Sequence, residues 1–235
     1  MNASRQLPFD LSLDPSVRRE DLVESSANAM AVAMIDAWPE WPSHLTVLAG
    51  PVGSGKTHIA NAWVSGAGGV VCNMRSISDF EQELQDCLDH KGNLVLEDAG
   101  AGIIDEVTLF HLVNSVRQAN SYCLITSRNW PLEWGIKLPD LLSRLRAAQV
   151  IELLEPDDQL LKQVMIKLFA DRQLMVDEKV IDYCVLRMER SLESVAKLVA
   201  EIDAEALARK SPITRGLAGH VLEKIENENS KNLET

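Results

Sequence analysis

Eight consecutive residues, Gly50-Pro51-Val52-Gly53-Ser54-Gly55-Lys56-Thr57, fit the pattern G-x-x-x-x-G-K-[ST]. Glycines at these places let backbone N–H groups turn inward around phosphate oxygens. The helix expected over His58–Val64 adds the partial positive charge of its N-terminus, so His58 borders the same site. Lys56 is placed to reach the terminal phosphates of a nucleotide, and the Thr57 hydroxyl to ligate Mg²⁺. By average residue usage such a pattern arises by accident in about one chain of this length in a hundred.

The chemistry needs a carboxylate at the tip of a neighbouring strand to hold the metal and its water shell. Leu94-Val95-Leu96-Glu97-Asp98 offers two, with Glu97 as metal ligand and Asp98 beside it as the second catalytic acid. Acids also cap buried strands for no chemical reason, but the upstream phosphate loop favours the functional reading. Glu97 stands where a shorter Asp is usual, and its longer arm holds a metal less rigidly. A further strand ends in Thr126-Ser127-Arg128, where Ser127 or Arg128 can sense a γ-phosphate or simply finish the strand.

These residues need a scaffold. Five short apolar runs, 44–49, 70–73, 93–96, 122–126 and 149–153, lack clean alternation. Strands buried on both faces read this way, and the stretches between carry helical periodicity, as at Leu109, Leu112, Val113 and Val116. The expectation is an α/β unit with a five-stranded parallel sheet flanked by helices. After Pro156 only helical patterns remain, with Asp157 as an N-cap, a helix starting near Ser191 and a last helix from Thr214. The organisation expected is a tail over 1–20, an α/β base over 21–154, a helical lid over 155–225 and a frayed polar tail over 226–235. Trp38 and Trp41 are expected to pack a loop against the core.

Composition bounds the rest. The chain has 235 residues, 46% of them hydrophobic, and a formal net charge of −12. That acidity argues against strong direct DNA binding. No apolar run reaches the ~20 residues of a membrane span. The N-terminus lacks a signal-peptide layout, and the four cysteines have no CxxC spacing, so a cytoplasmic protein is expected. The five histidines show no metal spacing.

The order of these motifs, with Leu138-Pro139-Asp140-Leu141-Leu142-Ser143-Arg144-Leu145 before the lid, resembles the AAA+ ATPases. Within them the chain is similar to the DnaA-type replication initiators and their shorter relatives, the Hda regulators that inactivate DnaA. The resemblance runs from about Asp21 to Ile225. It implies an AAA+ P-loop NTPase that holds ADP or ATP with Mg²⁺ between base and lid, with Leu22 and Val23 against the adenine. It also implies that Arg144 is an arginine finger acting in trans on an initiator. Initiators continue into a helix-turn-helix DNA-binding domain, which is not expected here.

Arg5-Gln6-Leu7-Pro8-Phe9-Asp10-Leu11 resembles the sliding-clamp-binding motif of the Hda relatives. That resemblance assigns Gln6 to a pocket rim and Leu7, Phe9 and Leu11 to apolar subsites. The family's lid arginine falls on Glu193, with Arg190 one turn earlier as the substitute nucleotide contact or an ordinary surface residue. Glu97, Arg128 and Glu193 together imply weak intrinsic hydrolysis. The role expected is activation of a partner's ATPase, and a second copy of the chain is a further candidate partner. The rival readings are a helicase-loader-like ATPase acting on DNA and a nucleotide-stabilised adaptor without finger activity. For Arg144 the bland alternative is a salt bridge to Asp140 or Glu152.

Overall fold

The computed structural model describes residues 18–73, 92–99 and 106–232. The expected clamp-binding residues Gln6, Leu7, Phe9 and Leu11 lie outside the described residues. Five strands form one sheet: β1 (Leu45–Ala49), β2 (Gly69–Asn73), β3 (Asn93–Ala99), β4 (Cys123–Ser127) and β5 (Gln149–Glu152). Their spatial order is β2-β3-β4-β1-β5, and all neighbours are parallel.

Every residue of β1 and β4 is buried, which is why neither reads as alternating. The two faces still divide by parity. Leu45, Val47, Leu94, Leu96, Cys123 and Ile125 pack under α3 (Glu106–Gln118) and α4 (Pro139–Arg146). Leu48, Val95 and Leu124 pack under α1 (Ala29–Asp36) and α2 (Lys56–Ala67). Trp41 completes that second layer: it stacks on Trp63 of α2 at 4.8 Å, and its Nε1 donates to the Met34 carbonyl.

Beyond β5 the chain is helical: α5 (Asp158–Asp171), α6 (Glu178–Val185), α7 (Leu192–Arg209) and α8 (Arg215–Asn232). Asp157 caps α5 by accepting from the Leu160 N–H, and Ser191 caps α7 by accepting from the Ser194 N–H. Leu161, Met165, Phe169, Ile181, Val199 and Val221 meet in a core of their own. The stretch from Glu226, expected to be frayed, is instead helical as far as Asn232. It continues a helix whose Leu217, Ala218 and Val221 are already fixed in that core, so propagation adds a hydrogen bond per residue without a new nucleation cost. Strand β3 also runs past its apolar run, through Glu97 and Asp98 to Ala99.

Candidate nucleotide site

The phosphate loop joins β1 to α2 at the C-terminal end of the sheet. Its turn depends on Gly53 (φ 75°) and Gly55 (φ 96°), in the left-handed region that residues with a Cβ avoid. Helix α2 starts at Lys56, so its first N–H groups point into the loop. The Lys56 ammonium donates to the carbonyls of Gly50 (2.8 Å) and Pro51 (2.6 Å). Burial pushes its pKa below the ordinary lysine value, and Asp98 and Glu97 pull it back up. A cation so placed, ringed by backbone donors, suits a phosphate chain.

The metal-ligand pair expected from sequence does come together. The Thr57 hydroxyl donates to Glu97 Oε2 at 2.7 Å. The other carboxylate oxygen, Oε1, is buried without a hydrogen-bond partner among the described residues. Burial raises the Glu97 pKa, more than the Thr57 hydrogen bond lowers it. A half-buried carboxylate with an orphaned oxygen beside a threonine hydroxyl fits a hard divalent cation such as Mg²⁺. Such an ion takes one or two protein oxygens and completes its shell with water and phosphate. Mg²⁺ bound there would neutralise developing phosphate charge.

The sign of the linkage follows. A carboxylate whose folded pKa exceeds its unfolded one opposes folding once ionised, so this group's contribution falls as pH rises from the unfolded value through the folded value. We expect Mg²⁺ with ATP to raise the melting temperature more than ATP with EDTA does, and Glu97→Gln to lose most of that metal-dependent increment. Thermal melts of both proteins under the two conditions measure this.

Asp98 occupies the left-handed region at φ 63°, at the irregularity where the β3–β4 register shifts between Leu96 and Ala99. Its N–H donates to Thr126 Oγ1 at 3.0 Å, and its carboxylate lies 3.7 Å from the Arg128 guanidinium. Arg128 is therefore tied to the acid pair. Ser127 is wholly buried and turned into its own loop: its hydroxyl donates to the Asn129 carbonyl and accepts from Trp134 Nε1.

On the far side of the cleft, Leu22 is buried and Val23 half-buried. Asn28 holds this segment, its Nδ2 donating to the Val23 carbonyl. Leu154 N–H donates to the Ala27 carbonyl, and the Ser26 hydroxyl donates to Asp157, the cap of α5. His58 is half-buried, and burial together with Lys167 lowers its pKa. Lys167 of α5 pairs with Asp21 at 2.8 Å, a second bridge from lid to base. Arg190 points at the first turn of α5, donating to Asp158 and to the Pro156 carbonyl at 3.1 Å. These contacts lie within the lid.

Sequence reasoning missed two residues that touch the phosphate loop. The Leu192 N–H donates to the Gly53 carbonyl at 2.8 Å. A Cβ on Gly53 would lie 2.2 Å from Ser191 Cβ, and one on Gly55 would lie 2.9 Å from Leu192 Cδ1. The lid helix therefore begins directly against the loop. No local signal near either residue announces it, because the contact joins segments far apart in the chain.

Arg144 lies in the last turn of α4, half-exposed, with its guanidinium 5.4 Å from the centre of the Phe110 ring. It makes no ion pair among the described residues, with Asp140 and Glu152 included. Helix α4 runs back from the C-terminal tip of β4 to the start of β5. Arg144 accordingly lines a groove with His44, Leu45 and Cys123, at the N-terminal ends of β1 and β4. The phosphate loop is at the other end of β1, about five residues or ~16 Å along the strand.

A parallel five-stranded sheet between helical layers, a phosphate loop after the interior strand β1 and a helical lid define an AAA+ P-loop NTPase fold. The chain is 18% identical to domain III of the Thermotoga maritima replication initiation protein DnaA, with a TM-score of 0.75 over 90% of this chain and 97% of that one. AMPPCP-bound DnaA from Aquifex aeolicus, also 18% identical, gives 0.66 over 95% and 72%. In sequence, the chain is 23% identical over 246 residues to the chromosomal replication initiator protein DnaA of Bacteroides thetaiotaomicron, a match covering 95% of this chain and 52% of that protein. The chain spans about half the length of the curated relatives it matches. No protein-family model matches it. Among the described residues no helix is long and apolar enough to cross a membrane.

Proposed function

We propose that this protein is a nucleotide-binding regulator that acts on a DnaA-type initiator and stimulates hydrolysis of the initiator's ATP, with Arg144 as the finger. One observation carries the reading. Arg144 has no carboxylate partner among the described residues, is held over Phe110, and is set at the end of the sheet opposite its own phosphate loop. It cannot serve the site of its own chain, so its useful target is a site on another molecule. A guanidinium placed beside a transferring phosphoryl group stabilises the charge that develops there. The sequence likeness to DnaA supports an initiator-type partner.

In this reading the chain's own site binds ADP or ATP through Gly50–Thr57, with Mg²⁺ at Thr57 and Glu97, and its own turnover is slow. The segment Gln6–Leu11 tethers the protein to a DNA-loaded sliding clamp, raising its effective concentration near DNA-bound initiator.

The test is hydrolysis of initiator-bound ATP with and without this protein, in the presence of clamp loaded on DNA. Stimulation is the expected result. Deleting residues 6–11 should move the half-maximal concentration up by about 10²-fold, the scale of a lost tether, without lowering the rate at saturation. No stimulation by a chain that binds nucleotide normally would overturn the regulator reading.

A further inference from the structure

The groove that Arg144 lines has a volume of 680 Å³ and opens between α3 and α4. Its floor is apolar: Leu45, Val113, Val116 and Cys123 are buried, and Phe110 forms one wall. Arg117, in the last turn of α3, and Arg144 bring two guanidiniums to its rim against one carboxylate, Asp140.

Among the described residues Arg117, Arg144, Arg146, Arg187 and Arg215 have no carboxylate partner, and two of them, Arg117 and Arg144, meet at this rim. Arg19, Arg128, Arg172, Arg190 and Arg209 each have a carboxylate partner. Asp140, one helical turn from Arg144, pairs with neither rim arginine. In a chain of net charge −12, the groove brings one carboxylate, Asp140, against two guanidiniums. An apolar floor under two unpaired guanidiniums is complementary to a carboxylate carried next to a large apolar side chain.

We propose that this groove docks a segment of the initiator-type partner in which an Asp or Glu stands beside a large apolar residue. Arg117 takes the carboxylate, the floor takes the apolar group, and Arg144 stays over Phe110, free for its phosphate target. The identity of the partner rests on the function proposed above; the chemistry of the groove does not.

Two measurements test it. In the first, the isotope-labelled full chain is titrated with the peptide acetyl-Leu-Phe-Asp-Leu-amide and followed by NMR. Resonances of Phe110, Val113 and Val116 should shift. The Asn counterpart of the peptide should bind about tenfold more weakly, as should the Arg117→Glu protein. Absence of shifts at the groove, or equal binding of the Asn peptide, overturns the proposal. In the second, Arg117→Glu should raise the concentration needed for half-maximal stimulation of initiator hydrolysis at least tenfold while the maximal rate holds. An unchanged half-maximal concentration overturns the assignment to the initiator. The peptide titration contains no initiator, so failure of the groove and failure of the regulator reading are told apart. Deleting residues 1–17 is the control for self-occupancy. Tenfold tighter peptide binding after deletion would give the groove to the chain's own N-terminal segment and overturn the partner assignment.

Discussion

Replacing Arg144 by Ala should abolish stimulation of initiator-bound ATP hydrolysis, a loss of roughly 10³-fold in the stimulated rate on the scale of arginine fingers supplied in trans. The size follows from what the group does. It meets no carboxylate among the described residues, so removing it breaks no ion pair there. The side-chain contact given up is with the face of Phe110, a half-exposed cation–π pair of about 0.5–1 kcal/mol. The variant should therefore fold, melt within a few degrees of the parent and bind nucleotide equally well. Single-turnover hydrolysis at saturating regulator measures the effect. Arg144→Lys should recover little, because an ammonium lacks the planar fork that grips two phosphate oxygens. A variant that stimulates as well as the parent would move the weight to the adaptor reading, in which nucleotide only holds the shape.

Gly53→Ala should cost the nucleotide site much of its affinity. The new Cβ would sit 2.2 Å from Ser191 Cβ, where real contacts do not occur, and φ at this position is 75°. The backbone cost is roughly 1–2 kcal/mol and the overpacking cost about 1–3 kcal/mol. Relief comes by moving the first turn of α7 off the loop, which breaks the Leu192 N–H bond to the Gly53 carbonyl. Nucleotide affinity should fall at least tenfold, since each ~1.4 kcal/mol is a factor of ten. Fluorescent-nucleotide titration reads this. Combining the change with Ser191→Gly removes the partner atom and should restore part of the affinity; no restoration would show that the clash is not the cause. The backbone cost and the lost N-cap at Ser191 keep the recovery incomplete.

The fold was legible because its signals are local. Val47, Leu124 and their neighbours form continuous apolar runs, the mark of strands covered on both faces, and Asp157 announces a helix by its capping chemistry. The limits of β3 were misread because Glu97 and Asp98 end the apolar run, whereas backbone pairing continues through a register shift to Ala99. The tail from Glu226 was misread because polarity says nothing about whether a helix already anchored upstream will continue. In the site, Lys56, Thr57 and Glu97 were readable from motif spacing, and the structure brings Thr57 and Glu97 into contact. The approach of Ser191 and Leu192 to the loop was not readable. Neither residue carries a chemical type that phosphate binding demands; they matter through a backbone N–H and a methylene. The place of Arg144 was half readable: the motif named the residue, and only the return path of α4 showed which end of the sheet it reaches.

The bridges between base and lid have a temporal consequence. Gly53 to Leu192, Ser26 to Asp157 and Asp21 to Lys167 fasten the lid around one cleft. A nucleotide held inside departs only after those fastenings part, so the waiting time for departure is set by an opening event as well as by the grip on the phosphates.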